Sequence, residues 1–184
     1  AGGARIFENT PVTAVRQKGG RVTGVATPKG EIAAEYVVLC AGMWSRELGR
    51  SIGVNIPLNA CEHFYIVSEP IAELPRNMPV VRLLDECTYY KEDAGKLMVG
   101  AFEPKAKAWG GGGIDDEHAF VTLPEDMDHF APVLEAAANR LPVLQTAGIK
   151  IFFNGPESFT PDDRYLLGGV FVLSIGALTG GLRQ

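Results

Sequence analysis

One stretch of this chain, and only one, spaces its apolar residues for a helix of more than two turns. Between Leu123 and Leu141, the residues Phe130, Val133, Leu134, Ala137, Ala138 and Leu141 recur at steps of three and one, which a 3.6-residue period gathers into a single stripe. Pro132 is tolerable near the start of such a helix and Pro142 ends it. Elsewhere the apolar runs are short and punctuated by the chain's 22 glycines and 12 prolines. The glycines and prolines mark off many short elements.

The first forty residues read as strands. Ala4 to Asn9 is a short run, and Pro11–Arg16 and Arg21–Thr27 flank Lys18-Gly19-Gly20, a glycine turn that predicts a hairpin. After Glu31–Glu35 comes Tyr36–Gly42, apolar on both faces, as expected of a buried central strand in a parallel sheet. Ser45 is the expected N-cap of a short helix running through Ile52 and closed by Gly53. Past Pro57 the pattern alternates: His63, Tyr65 and Val67 take one face of a strand, and Phe64, Ile66 and Ser68 the other. Thr88–Lys91 and Lys96–Gly100 predict a second antiparallel pair. Ile149–Phe153 predicts a strand, Asn154-Gly155-Pro156 a loop, and Val170–Ile175 a last strand. The pattern is a mixed α/β (α+β) chain.

Composition narrows the function classes. With 184 residues, 46% hydrophobic and 21% charged, the chain can bury a core and is not disordered. A net charge of −5 with the 17 Lys and Arg scattered argues against nucleic acid. No apolar run approaches the roughly 20 residues that span a bilayer. Three cysteines, Cys40, Cys61 and Cys87, have no metal-like spacing and are expected to be buried and reduced. Adjacent acidic residues at Asp115-Asp116-Glu117 with His118 read as a solvated loop, with no metal expected. Ala1-Gly2-Gly3 at the start and an apolar run near the end suggest a piece of a longer protein.

Spacing alone gives few chemical hints. No glycine-rich phosphate cradle lies between a strand and a helix near the start. Ala41-Gly42 stands where a strand turns into a helix, a place where open α/β sheets bind ligands, although on spacing alone an ordinary turn with Trp44 filling core is the favoured reading. His63 shares a face with Tyr65. Since Tyr89 and Tyr90 point to opposite faces, at most one can join it. His129 reads as a surface residue.

Four motifs in order alter this balance. Cys40-Ala41-Gly42-Met43-Trp44-Ser45, Cys61-Glu62-His63-Phe64-Tyr65-Ile66-Val67, Thr88-Tyr89-Tyr90-Lys91 and Asn154-Gly155-Pro156-Glu157-Ser158-Phe159-Thr160-Pro161-Asp162 together resemble the dimethylglycine and sarcosine dehydrogenase family of D-amino-acid-oxidase-like flavoproteins. The resemblance implies FAD-dependent oxidation of an N-methyl amino acid, with either oxygen or an electron-transfer flavoprotein taking the electrons, in the bacterial cytoplasm or the mitochondrial matrix. It implies part of a doubly wound FAD-binding domain at 1–56 and 151–184, and a mixed, largely antiparallel substrate-binding sheet at 57–150. By the same resemblance Val12, Ala41, Gly42, Trp44, Thr179 and Gly180 match cofactor-contacting positions, His63 relays the amine proton and Tyr89 orients the substrate. Arg82, Lys91 and Arg164 are unranked candidates for its carboxylate. Some relatives of these dehydrogenases are non-catalytic regulatory subunits, which is the alternative reading.

Overall fold

The computed structural model describes residues 2–162, 164–170 and 175–179, with no side-chain description at 116, 169, 170 and 175–179. The chain divides into two compact units, Ala1–Asn59 with Ser158–Gln184, and Ala60–Glu157.

In the first unit, strands β1 (Ala14–Lys18), β2 (Arg21–Thr27) and β3 (Gly30–Ala33) form an antiparallel meander. Lys18 pairs with Arg21 across two residues, Gly19 and Gly20, at φ +58° and +76°. Both torsions are positive, as the twist of a two-residue hairpin requires, and glycine adopts them without strain. Ala4 to Asn9 forms no strand and is exposed.

Strand β4 (Val37–Leu39) pairs in parallel with β12 (Ile175–Thr179), which pairs antiparallel with β11 (Leu166–Val170). Of the strand expected at Val170–Ile175, residues 171–174 lie outside the described residues, while Val170 ends β11 and Ile175 begins β12, paired with each other. The burial expected for both faces of Tyr36–Gly42 is also corrected. Leu39 packs with Ile56, Leu58 and Leu166, whereas Val38 is 58% exposed and Cys40 is exposed. The strand is three residues long and, among the described residues, ends its sheet, so one side chain reaches the core and the next faces away. Cys61 and Cys87 are only half-buried, so none of the three cysteines is the core residue expected.

A single 3-10 turn (Gly42–Trp44) leads into helix α1 (Ser45–Arg50). Ser45 is not the N-cap. It is the first helical residue, fully buried, and its Oγ accepts from the Ala41 N–H at 3.1 Å. That bond ties the turn to the helix from the inside. The helix stops at Arg50, and Gly53, at φ +78°, donates its N–H to the Arg50 carbonyl.

The second unit holds an antiparallel sheet in the order β10-β5-β8-β7-β6, made of β5 (Asn59–Ser68), β6 (Val81–Leu83), β7 (Thr88–Asp93), β8 (Lys96–Ala101) and β10 (Ile149–Phe159), with β9 (Ala108–Trp109) also paired to β5. Helix α2 (Met127–Arg140) begins four residues later than the periodicity suggested. Leu123 donates its N–H to the Asn154 carbonyl at 2.8 Å, which holds the segment extended, and Asp126 Oδ1 then caps the helix at the His129 N–H. The predicted stripe lands on one face of the sheet: Phe130 and Ala137 bury against Phe64, Ile66, Tyr90, Leu97 and Val99, with Val133, Leu134, Ala138 and Leu141 around them. Each large apolar side chain buried there contributes about 1.5–3 kcal/mol.

Strand β10 does not break at Asn154-Gly155-Pro156. It is the edge of its sheet, where proline costs no ladder hydrogen bond on the open side. Asn154, 1% exposed, donates from Nδ2 to Glu62 Oε2 at 2.7 Å and to the Pro124 carbonyl at 2.8 Å. Lys107 Nζ bridges Glu62 and Asp126, which fastens the edge strand to the helix start.

Candidate active site

The face of this sheet turned away from α2 carries the polar chemistry. Along β5 the alternation is as read from the sequence: Phe64, Ile66 and Ser68 are buried, and His63, Tyr65 and Val67 project to the other side. On β7 the same period buries Thr88 and Tyr90 and leaves Tyr89 beside His63. Register brings the two strands together. Gly100 of β8 is opposite Tyr89 on one side and Tyr65 on the other, and Arg82 of β6 is opposite Tyr89.

His63 Nε2 and Tyr89 Oη are 3.1 Å apart, with the two rings parallel to within 7°. Phe102 touches both, at centroid distances of 4.9 Å from His63 and 5.6 Å from Tyr89. Glu157 Oε2 is 3.9 Å from His63 Nδ1. Phe153 stacks on Tyr65 at 4.7 Å and continues the aromatic surface toward the edge strand.

The electrostatics assign directions to the hydrogen bonds. Burial lowers the His63 pKa below 6.5, against the opposing pull of the Glu157 and Glu103 carboxylates. Burial, reinforced by Glu157, Tyr65 and Glu103, pushes Tyr89 up to about 12. Near neutrality the imidazole is therefore uncharged and the phenol keeps its proton. A carboxylate on the Nδ1 side favours the tautomer with Nδ1 protonated, so that Tyr89 donates to Nε2. The Tyr89 oxygen then offers lone pairs to a donor outside.

Gly100 and Glu157 escaped the sequence reading as functional residues. The signal for Gly100 was a glycine inside a strand, which often marks a close approach. Here a Cβ would be 2.3 Å from both Cζ and Oη of Tyr89. Glu157 lay within a quoted motif but had no role until the register placed it beside His63. Expected at the surface, His129 is instead half-buried, packs on Phe64 at 5.1 Å, and has Nε2 2.9 Å from Glu103 Oε1. Of the three cations, Arg82 has its guanidinium carbon 4.9 Å from the Phe102 centroid. Lys91 is exposed two residues past Tyr89, and Arg164 is exposed in the other unit.

The remaining predicted positions belong to the first unit. Val12 is exposed just before β1, Ala41 and Gly42 form the turn after β4, and Trp44 is half-buried at its end. Thr179 closes β12, while Gly180 lies outside the described residues. Because Ala177 pairs with Leu39 in parallel, the carboxyl ends of β4 and β12 emerge side by side. Gly42, at φ +52°, is exposed, and a Cβ there would meet nothing within 4 Å, so bare backbone faces open space.

The mixed α/β arrangement of the two units is that of solved oxidoreductases. The crystal structure of L-proline dehydrogenase from P. horikoshii superimposes with a TM-score of 0.79 at 21% identity, over 97% of this chain and 46% of that one. Residues 1–180 match the FAD dependent oxidoreductase (DAO) family, and the chain belongs to it. It is 38% identical over 172 residues to 4-methylaminobutanoate oxidase (formaldehyde-forming) of Paenarthrobacter nicotinovorans, over 94% of this chain and 21% of that protein. It is 41% identical over 173 residues to human mitochondrial sarcosine dehydrogenase, over 91% of this chain and 18% of the enzyme. Against the mouse mitochondrial pyruvate dehydrogenase phosphatase regulatory subunit it is 39% identical over 189 residues, covering 98% of this chain and 21% of that protein. The chain spans about a fifth of the length of these curated relatives.

Proposed function

We propose that the protein containing this chain oxidises an N-methylated amino acid of the sarcosine or dimethylglycine type with FAD as its cofactor. The observation that carries the reading is the His63–Tyr89 pair, hydrogen-bonded at 3.1 Å and desolvated, on a sheet face lined by aromatic rings. In this reading the first unit contributes to FAD binding and the second binds substrate. Val12, Ala41, Gly42, Trp44, Thr179 and Gly180 are assigned to the cofactor. Open backbone at the carboxyl ends of two neighbouring parallel strands fits a phosphate-bearing, flat group, which open α/β sheets bind at such places.

When bound, FAD supplies a two-electron acceptor. The chain's own residues handle the proton. An amino-acid ammonium must lose a proton before its nitrogen lone pair can assist C–H cleavage. Tyr89 Oη accepts that N–H while its hydroxyl proton passes along the existing hydrogen bond to His63 Nε2. Glu157, on the Nδ1 side, stabilises the imidazolium that forms. Tyr89 thus takes a share of the proton transfer beyond orienting substrate. Phe102 and Tyr65 restrict water around the pair.

His63→Ala in the full-length protein is expected to slow single-turnover flavin reduction more than tenfold, at least ~1.4 kcal/mol of barrier. An unchanged rate would remove His63 from the mechanism. A second reading, a non-catalytic regulatory subunit, is favoured by the 39% identity to the phosphatase regulatory subunit. Anaerobic mixing with sarcosine and dimethylglycine separates the two: bleaching of the flavin supports the enzyme. In the enzyme reading the electrons pass to oxygen or to an electron-transfer flavoprotein, in the bacterial cytoplasm or the mitochondrial matrix. The described residues contain no helix long and apolar enough to cross a membrane.

A further inference from the structure

The two ends of the aromatic cluster carry opposite charges. At one end the Arg82 guanidinium lies over Phe102 at 4.9 Å, and among the described residues no Asp or Glu forms an ion pair with it. By contrast, Arg16 pairs with Glu31 and Arg140 with Glu86, while Arg46 and Arg50 share Glu47. At the other end the Glu157 carboxylate, 54% exposed, stands 3.9 Å from His63. Between them lie Tyr89 and His63, both in contact with the Phe102 ring. Strand order fixes this polarity, because Arg82 comes from β6 and Glu157 from β10, the opposite edges of the sheet. Folding the guanidinium over Phe102 brings it inward from its edge to within two ring contacts of the histidine. Stacking on a ring leaves the edge of the guanidinium, with its fork of N–H donors, open for a carboxylate.

We infer that this polarity selects a zwitterion: Arg82 anchors the substrate carboxylate and Glu157 draws the amine nitrogen to the His63–Tyr89 end. The inference rests on the amine-oxidation reading and deepens it. It also makes Arg82 a specificity residue, since the separation between guanidinium and Tyr89 oxygen sets how many carbons divide carboxylate from amine. Lys91, on the same strand face but with no ring beneath it on the described surface, is the rival anchor.

The test uses the full-length flavoprotein and three small ligands. Sarcosine carries both charges, N-methylethanolamine replaces the carboxylate with an alcohol, and methoxyacetate keeps the carboxylate but has no amine. Binding is read from perturbation of flavin absorbance, or from the concentration dependence of anaerobic reduction. Arg82→Gln is expected to raise Kd for sarcosine and methoxyacetate more than thirtyfold, and for N-methylethanolamine less than threefold, with Arg82→Lys in between. Glu157→Gln is expected to do the reverse, weakening sarcosine and N-methylethanolamine more than tenfold and methoxyacetate less than threefold. This crossed pattern supports the assignment. Equal losses for all three ligands in either variant, or a loss of methoxyacetate binding in Lys91→Gln instead of Arg82→Gln, overturn it. If no amine reduces the wild-type flavin while methoxyacetate binding still depends on Arg82, the oxidation reading fails and the carboxylate anchor stands. If the wild-type protein binds none of the three, both fall.

Discussion

Gly100→Ala should disable the site without replacing any group that does chemistry. The added Cβ would lie 2.3 Å from Cζ and Oη of Tyr89 and 2.7 Å from Cε1. Carbon atoms in good contact are about 3.5–4.0 Å apart, so the ring must retreat by roughly 1.2 Å or more. The hydrogen bond to His63 starts at 3.1 Å, and a shift of that size carries it past the ~3.2 Å limit for a good bond. Overpacking costs about 1–3 kcal/mol and a lost hydrogen bond about 1 kcal/mol, so the variant should lose ~2–4 kcal/mol of stability. Loss of a positioned proton-transfer pair should slow flavin reduction by roughly 10²–10⁴-fold. The assay is a double-mutant cycle of Gly100→Ala and Tyr89→Ala in equilibrium unfolding, with the ultraviolet titration of Tyr89 as a second readout. With the ring gone the methyl has nothing to strike, so the stability cost of Gly100→Ala should largely vanish. In Gly100→Ala alone, the Tyr89 titration should fall from about 12 toward 10 as the ring moves into water. An equal cost with and without the Tyr89 ring, or an unmoved titration, would refute the claim that Gly100 makes room for Tyr89.

Two further outcomes follow from neighbouring tyrosines and from pH. Tyr90 is 1% exposed and its hydroxyl has no hydrogen-bond partner among the described residues, so Tyr90→Phe should be neutral or slightly stabilising in denaturant unfolding, within about 1 kcal/mol, and should leave flavin reduction unchanged. Tyr89→Phe one residue earlier should slow reduction at least tenfold. Because folding lowers the His63 pKa, its contribution to stability is complete above 6.5 and is lost as pH falls below that value. Folding raises the Tyr89 pKa, so its contribution is complete below 10 and is lost as pH rises from 10 toward about 12. Thermal midpoints across pH should sag at both ends, the acid sag disappearing in His63→Ala and the alkaline sag in Tyr89→Phe. The acid limb of kcat/KM should lie below 6.5.

What could be read from the sequence was whatever depends on a local period. The alternation of Cys61–Glu69 and the stripe of α2 follow from geometry within one element, and both landed on the expected faces. Features that depend on a neighbour were misread. Pro156 resembles a loop signal until β10 is known to be an edge strand. Val38 and Cys40 resemble core until β4 is known to end its sheet. Ser45 has the right type for a cap, but the chain enters the helix through a 3-10 turn and directs the hydroxyl back to Ala41. The His63–Tyr89 pair lies between these cases. Each residue's face was predictable, whereas their 3.1 Å approach needs the β5–β8–β7 register and a glycine between the two strands.

That register explains how one sheet can carry stability and chemistry without conflict. Successive residues of a strand face opposite sides, so Thr88 and Tyr90 are committed to the α2 core while Tyr89 between them is free to serve a ligand. A one-residue slip of β7 would exchange the two sets, exposing the core tyrosine and burying the reactive one. The slip is opposed on both sides. At one end Ala94 and Gly95, at φ +51° and +78°, fix the hairpin so that Asp93 meets Lys96. In the middle, only residue 100 lacks the Cβ that would strike the Tyr89 ring. The same glycine that admits Tyr89 to the site therefore also marks the register in which the core and the site are both correctly filled. Any relative that keeps the tyrosine but replaces this glycine must hold its phenol in some other way, and its histidine should then titrate differently.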